Sequence, residues 1–91
     1  MLLSDDEIEE RLGRMDGWSR SGDEIVREYD RGDFVGSVRF AEAIVGPAEE
    51  MGHHPDLDIS WATVRVRIST HSEGGLAAAD FELAGRIDAL A

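Results

Sequence analysis

Three histidines and the carboxylates near them are the residues of this sequence best suited to chemistry. His53 and His54 are adjacent, Glu49 comes four residues before His53, and His71 and Asp80 follow later in the chain. An imidazole has an unperturbed pKa near ~6.5, so it can donate or accept a proton at neutral pH. The adjacent imidazoles could therefore be a catalytic pair, two metal ligands, or two unrelated side chains that face opposite ways.

The residue types restrict the kind of site that these side chains can form. The chain contains no cysteine, which excludes disulfides, thiolate nucleophiles, Fe–S clusters and cysteine-based zinc sites. The three histidines and Asp80 are suitable ligand types for a metal, but the sequence lacks a His-x3-His pair, and adjacent histidines seldom bind one ion. Any chemistry must use His, Asp, Glu, Arg or hydroxyl groups.

Hydrophobic patterns predict the elements that must position these groups. Helical spacing of apolar residues predicts three helices, in residues 5–12, 34–52 and 76–90. Alternating apolar and polar residues predict two antiparallel hairpins, in residues 18–30 and 57–69. The order α-β-β-α-β-β-α predicts an α+β fold, a four-stranded antiparallel sheet with helices packed on one face and polar and Arg side chains on the other.

The histidine pair falls where the long helix is expected to end and a strand to begin. Pro55 pushes the residue before it out of helical backbone, so we expect His53 to belong to the helix end and His54 to the extended chain. Side chains at such a break can point into one pocket. His71 ends the fourth predicted strand and Asp80 lies in the first turns of the last helix, so Asp80 could orient or pair with His71.

The long helix has a wide apolar surface. One stripe is expected to pack in the core, and it consists of Phe34, Val38, Ala41, Val45 and Ala48. Three further side chains widen one edge of that stripe, namely Phe40, Ile44 and Met51. These three either belong to the same core or meet a second subunit. Pro47 is expected to kink or split the helix, because proline removes a backbone donor and clashes with the preceding turn.

Length and charge limit the class of protein and its partners. Ninety-one residues predict a single domain over residues 1–91 with a modest core, to which a partner subunit could add. The net charge of -11 would repel nucleic acid phosphates and anionic lipid. No stretch resembles a signal peptide or the ~18 apolar residues of a membrane span. We therefore expect a soluble cytoplasmic protein without nucleic acid or membrane partners.

The spacing of the candidate site residues resembles a known family. Written out, it is Glu49-x3-His53-His54-Pro55-x5-Trp61-x9-His71-x8-Asp80. This pattern resembles the signature of pterin-4a-carbinolamine dehydratases, and the predicted element order resembles the fold of that family. The resemblance implies dehydration of 4a-hydroxytetrahydropterin to quinonoid dihydropterin, which recycles tetrahydrobiopterin for aromatic amino acid hydroxylases. It implies no metal and no redox cofactor.

The resemblance also implies roles for individual histidines. His53 would be the principal acid–base group, His54 would bind and polarise the pterin, and His71 would be a second acid–base group on the opposite side of the ring. Which histidine gives a proton and which takes one stays open.

Three other residues receive roles from the same resemblance. Asp80 would set the orientation or charge of a neighbouring imidazole. Glu49 would line the pocket and accept hydrogen bonds from pterin N–H groups. Trp61 occupies the aromatic position of the signature, where packing is favoured over direct contact with the pterin.

The resemblance further suggests how copies of the chain associate. Homodimers would form by joining of sheet edges, and homotetramers through the long helices. Animal members of the family also act as a dimerisation cofactor of a transcription factor through their helical surface. The sequence is therefore compatible with three classes of function: a dehydratase, a non-catalytic regulatory binding module and a metal-binding protein.

Overall fold

A computed structural model describes residues 1–91 and contains three helices and one four-stranded sheet. In chain order the elements are α1 (Asp5–Gly13), β1 (Ser19–Ser21), β2 (Glu24–Asp30), α2 (Phe34–Met51), β3 (Asp56–Ser60), β4 (Thr63–Ile68) and α3 (Ala78–Asp88). The predicted order and the α+β class are confirmed. None of the helices is long and apolar enough to cross a membrane.

The sheet is antiparallel throughout, with the strand order β1-β2-β4-β3. On one face Ile25 lies opposite Ile68 and Tyr29 lies opposite Val64, and all four side chains are buried. On the other face Arg65 lies between Glu28 and Asp58. The predicted division into an apolar and a polar face therefore holds. The strand order leaves β1 and β3 at the two edges of the sheet.

The core stripe predicted for α2 is only partly correct, because Ala48 is buried but most of the stripe is exposed. Phe34 and Val45 are 57% and 56% exposed, whereas Phe40 and Ile44 are buried. The buried side also includes Ser37, whose hydroxyl donates to the backbone carbonyls of Asp33 and Trp61. Ser37 interrupts the apolar pattern on the buried side of the helix. The stripe that begins at Phe34 therefore has the more continuous apolar pattern in the sequence, although most of it is exposed.

Pro47 does not split α2, which runs unbroken from Phe34 to Met51. Proline lacks the N–H that would bond the carbonyl of Ala43 one turn earlier. Ala43 is exposed, so water can satisfy that carbonyl without a break in the helix. The long helix can therefore run to the point where the histidine pair begins.

The last helix is shorter than predicted and is held at its far end by Asp88. The Asp88 carboxylate accepts hydrogen bonds from Trp18 Nε1, from Arg27 and from the Tyr29 hydroxyl. Burial, and then the hydrogen bond to Asp88, raise the pKa of Tyr29 far above its usual range. This contact fixes the C-terminal end of α3 against the sheet, while its N-terminal end points toward the histidines.

Candidate active site

A glycine turn places the histidine pair. Gly52 ends α2 in the left-handed region, with φ 61°, which glycine adopts without steric cost. The His53 amide still bonds the Ala48 carbonyl at 3.0 Å, and β3 begins at Asp56 after Pro55. His53 and His54 thus both lie in a short link between the helix and the strand, so His53 follows the helix rather than belonging to its end.

His53 and Asp80 form the most buried polar contact of the site. The His53 Nε2 atom lies 2.6 Å from Asp80 Oδ1, and the two side chains are 16% and 0% exposed. The other oxygen, Oδ2, accepts from the Thr70 hydroxyl at 2.8 Å and from the Ala77 amide at 2.7 Å. One fully buried carboxylate therefore connects the end of α2, the loop after β4 and the start of α3.

Asp80 also replaces a missing helix cap. Ala77 is the N-cap residue of α3, and alanine has no side-chain acceptor for the first amides of the helix. Asp80 reaches back to the Ala77 amide, which is the reverse half of a capping box. The same side chain thus stabilises the start of α3 and holds the His53 ring.

His54 has a different carboxylate partner. Its Nε2 atom lies 2.5 Å from Glu49 Oε2, and both side chains are exposed. The pair stands at the rim of an apolar groove of about 160 Å³, between α2 and the start of β3. The remaining lining residues are Ala41, Ile44, Val45, Ala48, Pro55 and Leu57. Glu49 therefore lines a pocket, whereas His53 and Asp80 lie outside this groove.

The expected pairing of Asp80 with His71 is wrong. His71 is exposed, and its Nε2 atom lies 3.7 Å from Asp56 Oδ2, while the Ser69 hydroxyl is 3.2 Å from Nδ1. Thr70 points into the protein toward Asp80, and its neighbour His71 points outward. Each histidine thus has its own carboxylate, and the carboxylate of His71 is Asp56.

Five of the six predicted site residues gather at one end of the sheet, where β3 begins and β4 ends. They are Glu49, His53, His54, His71 and Asp80. Sequence reasoning missed Thr70, Asp56 and Ser69, although Ser69 and Thr70 directly precede His71 and carry hydroxyl groups at the end of a predicted strand.

Trp61 lies at the opposite end of the sheet. It follows β3 in the turn to β4 with φ 49°, and it is 75% exposed. Its carbonyl accepts from the buried Ser37 hydroxyl at 2.7 Å. The length of β3 separates Trp61 from His54, so the chain does not bring it to the other site residues. Its side chain does not pack against the core of this chain.

The geometry does not assemble a metal site. No group of three or more His, Asp or Glu side chains is placed to hold one ion. Each imidazole is directed at a single carboxylate instead. Such pairs suit the orientation of a proton-transferring ring.

Comparisons with known proteins agree with one another. The sequence model of the family described as pterin 4 alpha carbinolamine dehydratase matches residues 1–90. A protein of Roseiflexus castenholzii, provisionally named a pterin-4-alpha-carbinolamine dehydratase, is 47% identical over 87 residues, which are 96% of this chain and 94% of the relative.

Two solved structures are similar to the chain in fold. The crystal structure described as a transcriptional coactivator/pterin dehydratase from Brucella melitensis superposes with a TM-score of 0.95 at 30% identity, covering 100% of this chain and 99% of that one. A pterin dehydratase-like protein described as a RuBisCO assembly factor in the alpha-carboxysome gives 0.65 at 20% identity, covering 80% and 84%. The second likeness concerns the fold alone.

Proposed function

Because the chain belongs to the pterin 4 alpha carbinolamine dehydratase family, we propose that it is a hydro-lyase that converts 4a-hydroxytetrahydropterin into quinonoid dihydropterin and water. The observation that carries the proposal is the His53–Asp80 pair, a partly buried imidazole against a fully buried carboxylate. The proposal includes a role in recycling tetrahydrobiopterin for an aromatic amino acid hydroxylase. A cytoplasmic location stays a prediction.

The reaction needs two proton transfers and no external oxidant or reductant. The C4a–O bond breaks while a proton is delivered to the departing hydroxyl, which leaves as water. A ring N–H loses its proton, and the electron pair of that bond forms the new C=N bond. One proton is given and one is taken, so histidine side chains can supply both steps.

The surroundings of the histidines support a division of roles. His53 is held by Asp80 and is the principal acid–base group. His54, the next residue, and Glu49 are exposed, so they can bind the polar edge of a pterin ring. His71 is exposed, so its ring is open to a bound molecule and can act as a second proton-transfer group.

A direct assay tests the dehydratase. Purified protein is added to freshly generated 4a-hydroxytetrahydropterin, and formation of quinonoid dihydropterin is followed against the uncatalysed rate. We expect His71→Ala to lower kcat by about 10²-fold, which is the lower end for loss of a general acid or base. The adjacent exposed Ser72→Ala is the control and should keep full activity. A wild-type protein that does not exceed the uncatalysed rate would refute the proposed function.

The exposed stripe of α2 supports self-association. Phe34, Val35 and Val38 form an exposed apolar surface at the start of the helix. We propose that second copies cover it, so that homodimers joined by their sheet edges associate into a homotetramer.

Light scattering after size exclusion measures this association. We expect Val38→Asp to reduce the wild-type oligomer to a smaller species, because a carboxylate on an apolar interface is costly to desolvate. Ala43→Asp adds the same charge on the opposite, exposed side of α2 and should leave the mass unchanged. A monomeric wild type, or an unchanged mass of Val38→Asp, would count against this surface.

The same stripe is the one observation in favour of a second function. A non-catalytic regulatory module would use it to bind another protein, and the Brucella structure is described as a coactivator as well as a dehydratase. An inactive wild type that forms a stoichiometric complex with a defined protein, lost in Val38→Asp, would favour this function over the dehydratase.

A further inference from the structure

Thr70 contacts Asp80 on the side of the carboxylate that faces away from His53. Its hydroxyl donates to Oδ2 at 2.8 Å, while Oδ1 faces the imidazole. The Thr70 backbone is itself fixed, because its amide bonds the Gly75 carbonyl and its carbonyl accepts from the Gly74 amide. The hydroxyl is thus presented to Asp80 from a rigid turn.

The donors around Asp80 determine how His53 carries its proton. A backbone amide can only donate, so the bond from Ala77 requires Oδ2 to be an acceptor, and an ionised carboxylate accepts on both oxygens. When Asp80 is ionised, Oδ1 is also an acceptor, and the His53 Nε2 atom 2.6 Å away carries the ring hydrogen. No group of the protein forms a hydrogen bond with Nδ1, which is therefore the nitrogen open to a bound molecule.

We infer that Thr70 is a positioning residue, which holds Asp80 so that His53 keeps its Nε2–H tautomer and exchanges protons with the substrate at Nδ1. This inference rests on the proposed acid–base role of His53. Thr70 itself acts only through Asp80.

The test compares Thr70→Val, which removes only the hydroxyl, with Thr70→Ser, which keeps it. Thr63→Val is the matched control, because Thr63 begins β4 at the end of that strand away from Thr70 and Asp80. We expect Thr70→Val to lower kcat by about 10-fold with KM little changed, since loss of a group that orients a functional imidazole costs activity on this scale. Thr70→Ser should recover most of the loss.

Nitrogen-15 NMR of the histidine rings reads the tautomer without any substrate. We expect the Nε2–H form of His53 in the wild type and in Thr70→Ser. In Thr70→Val the carboxylate is held by the Ala77 amide alone and can turn away from the ring, so we expect a mixture of tautomers. An Nδ1–H form in the wild type, or unchanged tautomer and kcat in Thr70→Val, would overturn the inference. So would a loss in Thr70→Ser as large as in Thr70→Val, which keeps the test decisive even if the valine variant folds poorly.

The two arms also separate this inference from the proposed function. A wild type without dehydratase activity refutes the function, while the NMR comparison still decides whether Thr70 controls the His53 ring. An active wild type whose His53 tautomer ignores Thr70 refutes the inference and leaves the function intact.

Discussion

Replacing His53 with alanine is expected to lower kcat for dehydration by about 10²–10⁴-fold, the range produced by removing a positioned proton-transfer group. The effect should exceed that of His71→Ala, because His53 alone has its ring partly buried against a fully buried carboxylate. A ring that is already held in one orientation loses less entropy on reaching the transition state than an exposed ring does. The measurement is kcat in the quinonoid dihydropterin assay.

Two further variants separate chemistry from folding in this experiment. His53→Ala leaves Asp80 buried without one partner, which costs about 1–3 kcal/mol of unfolding free energy. His53→Gln retains an N–H donor for Asp80 but cannot transfer a proton, so it should be equally inactive and more stable. His54→Gln makes the same change one residue further on and should mainly raise KM. Activity within twofold of wild type in both His53 variants would exclude His53 as the principal acid–base group.

The elements of the fold could be predicted because their signals are local. Caps, turns and hydrophobic periods depend on residues a few positions apart, which gave the order and approximate bounds of all seven elements. Which side of α2 packs in the core could not be predicted from neighbouring residues. It depends on Ser37, which is buried because the carbonyl of Trp61 comes to it from another hairpin. A pattern of apolar residues cannot include such a partner.

The site could be predicted as far as short spacing reaches. Glu49, His53 and His54 lie within one helix end and one turn, and their grouping follows from the sequence alone. The partner of Asp80 depends on the directions in which the Thr70 and His71 side chains point. Both residues follow β4, which ends at Ile68, so the alternation of side chains along a strand no longer predicts these directions. The direction of the Trp61 side chain is hard to predict for a related reason, since β3 ends at Ser60 and the next residue turns away in a left-handed conformation.

Asp80→Asn should lower kcat as much as the loss of His53 does, because it changes which nitrogen of the His53 ring carries the hydrogen. The Ala77 amide can only donate and so requires an acceptor at the Oδ2 position, which keeps the amide oxygen of the asparagine there. The amide NH₂ then faces His53 Nε2 and donates to it, which moves the ring hydrogen to Nδ1. The nitrogen assigned to the substrate would thus carry the wrong proton state. In a Ser-His-Asp triad the same change lowers kcat by about 10⁴-fold, and we expect a loss of about 10³–10⁴-fold.

Folding should survive this change, which distinguishes it from a structural defect. Every hydrogen bond of Asp80 keeps a partner in the asparagine variant, so the cost is the weaker bonding of a neutral group, about 1–2 kcal/mol. Thermal unfolding measures this cost, and nitrogen-15 NMR should report the Nδ1–H form of His53. Asp56→Asn alters the carboxylate beside the exposed His71 and should reduce kcat far less. If Asp80→Asn stays folded, keeps the wild-type tautomer and retains kcat, Asp80 does not control proton transfer at His53.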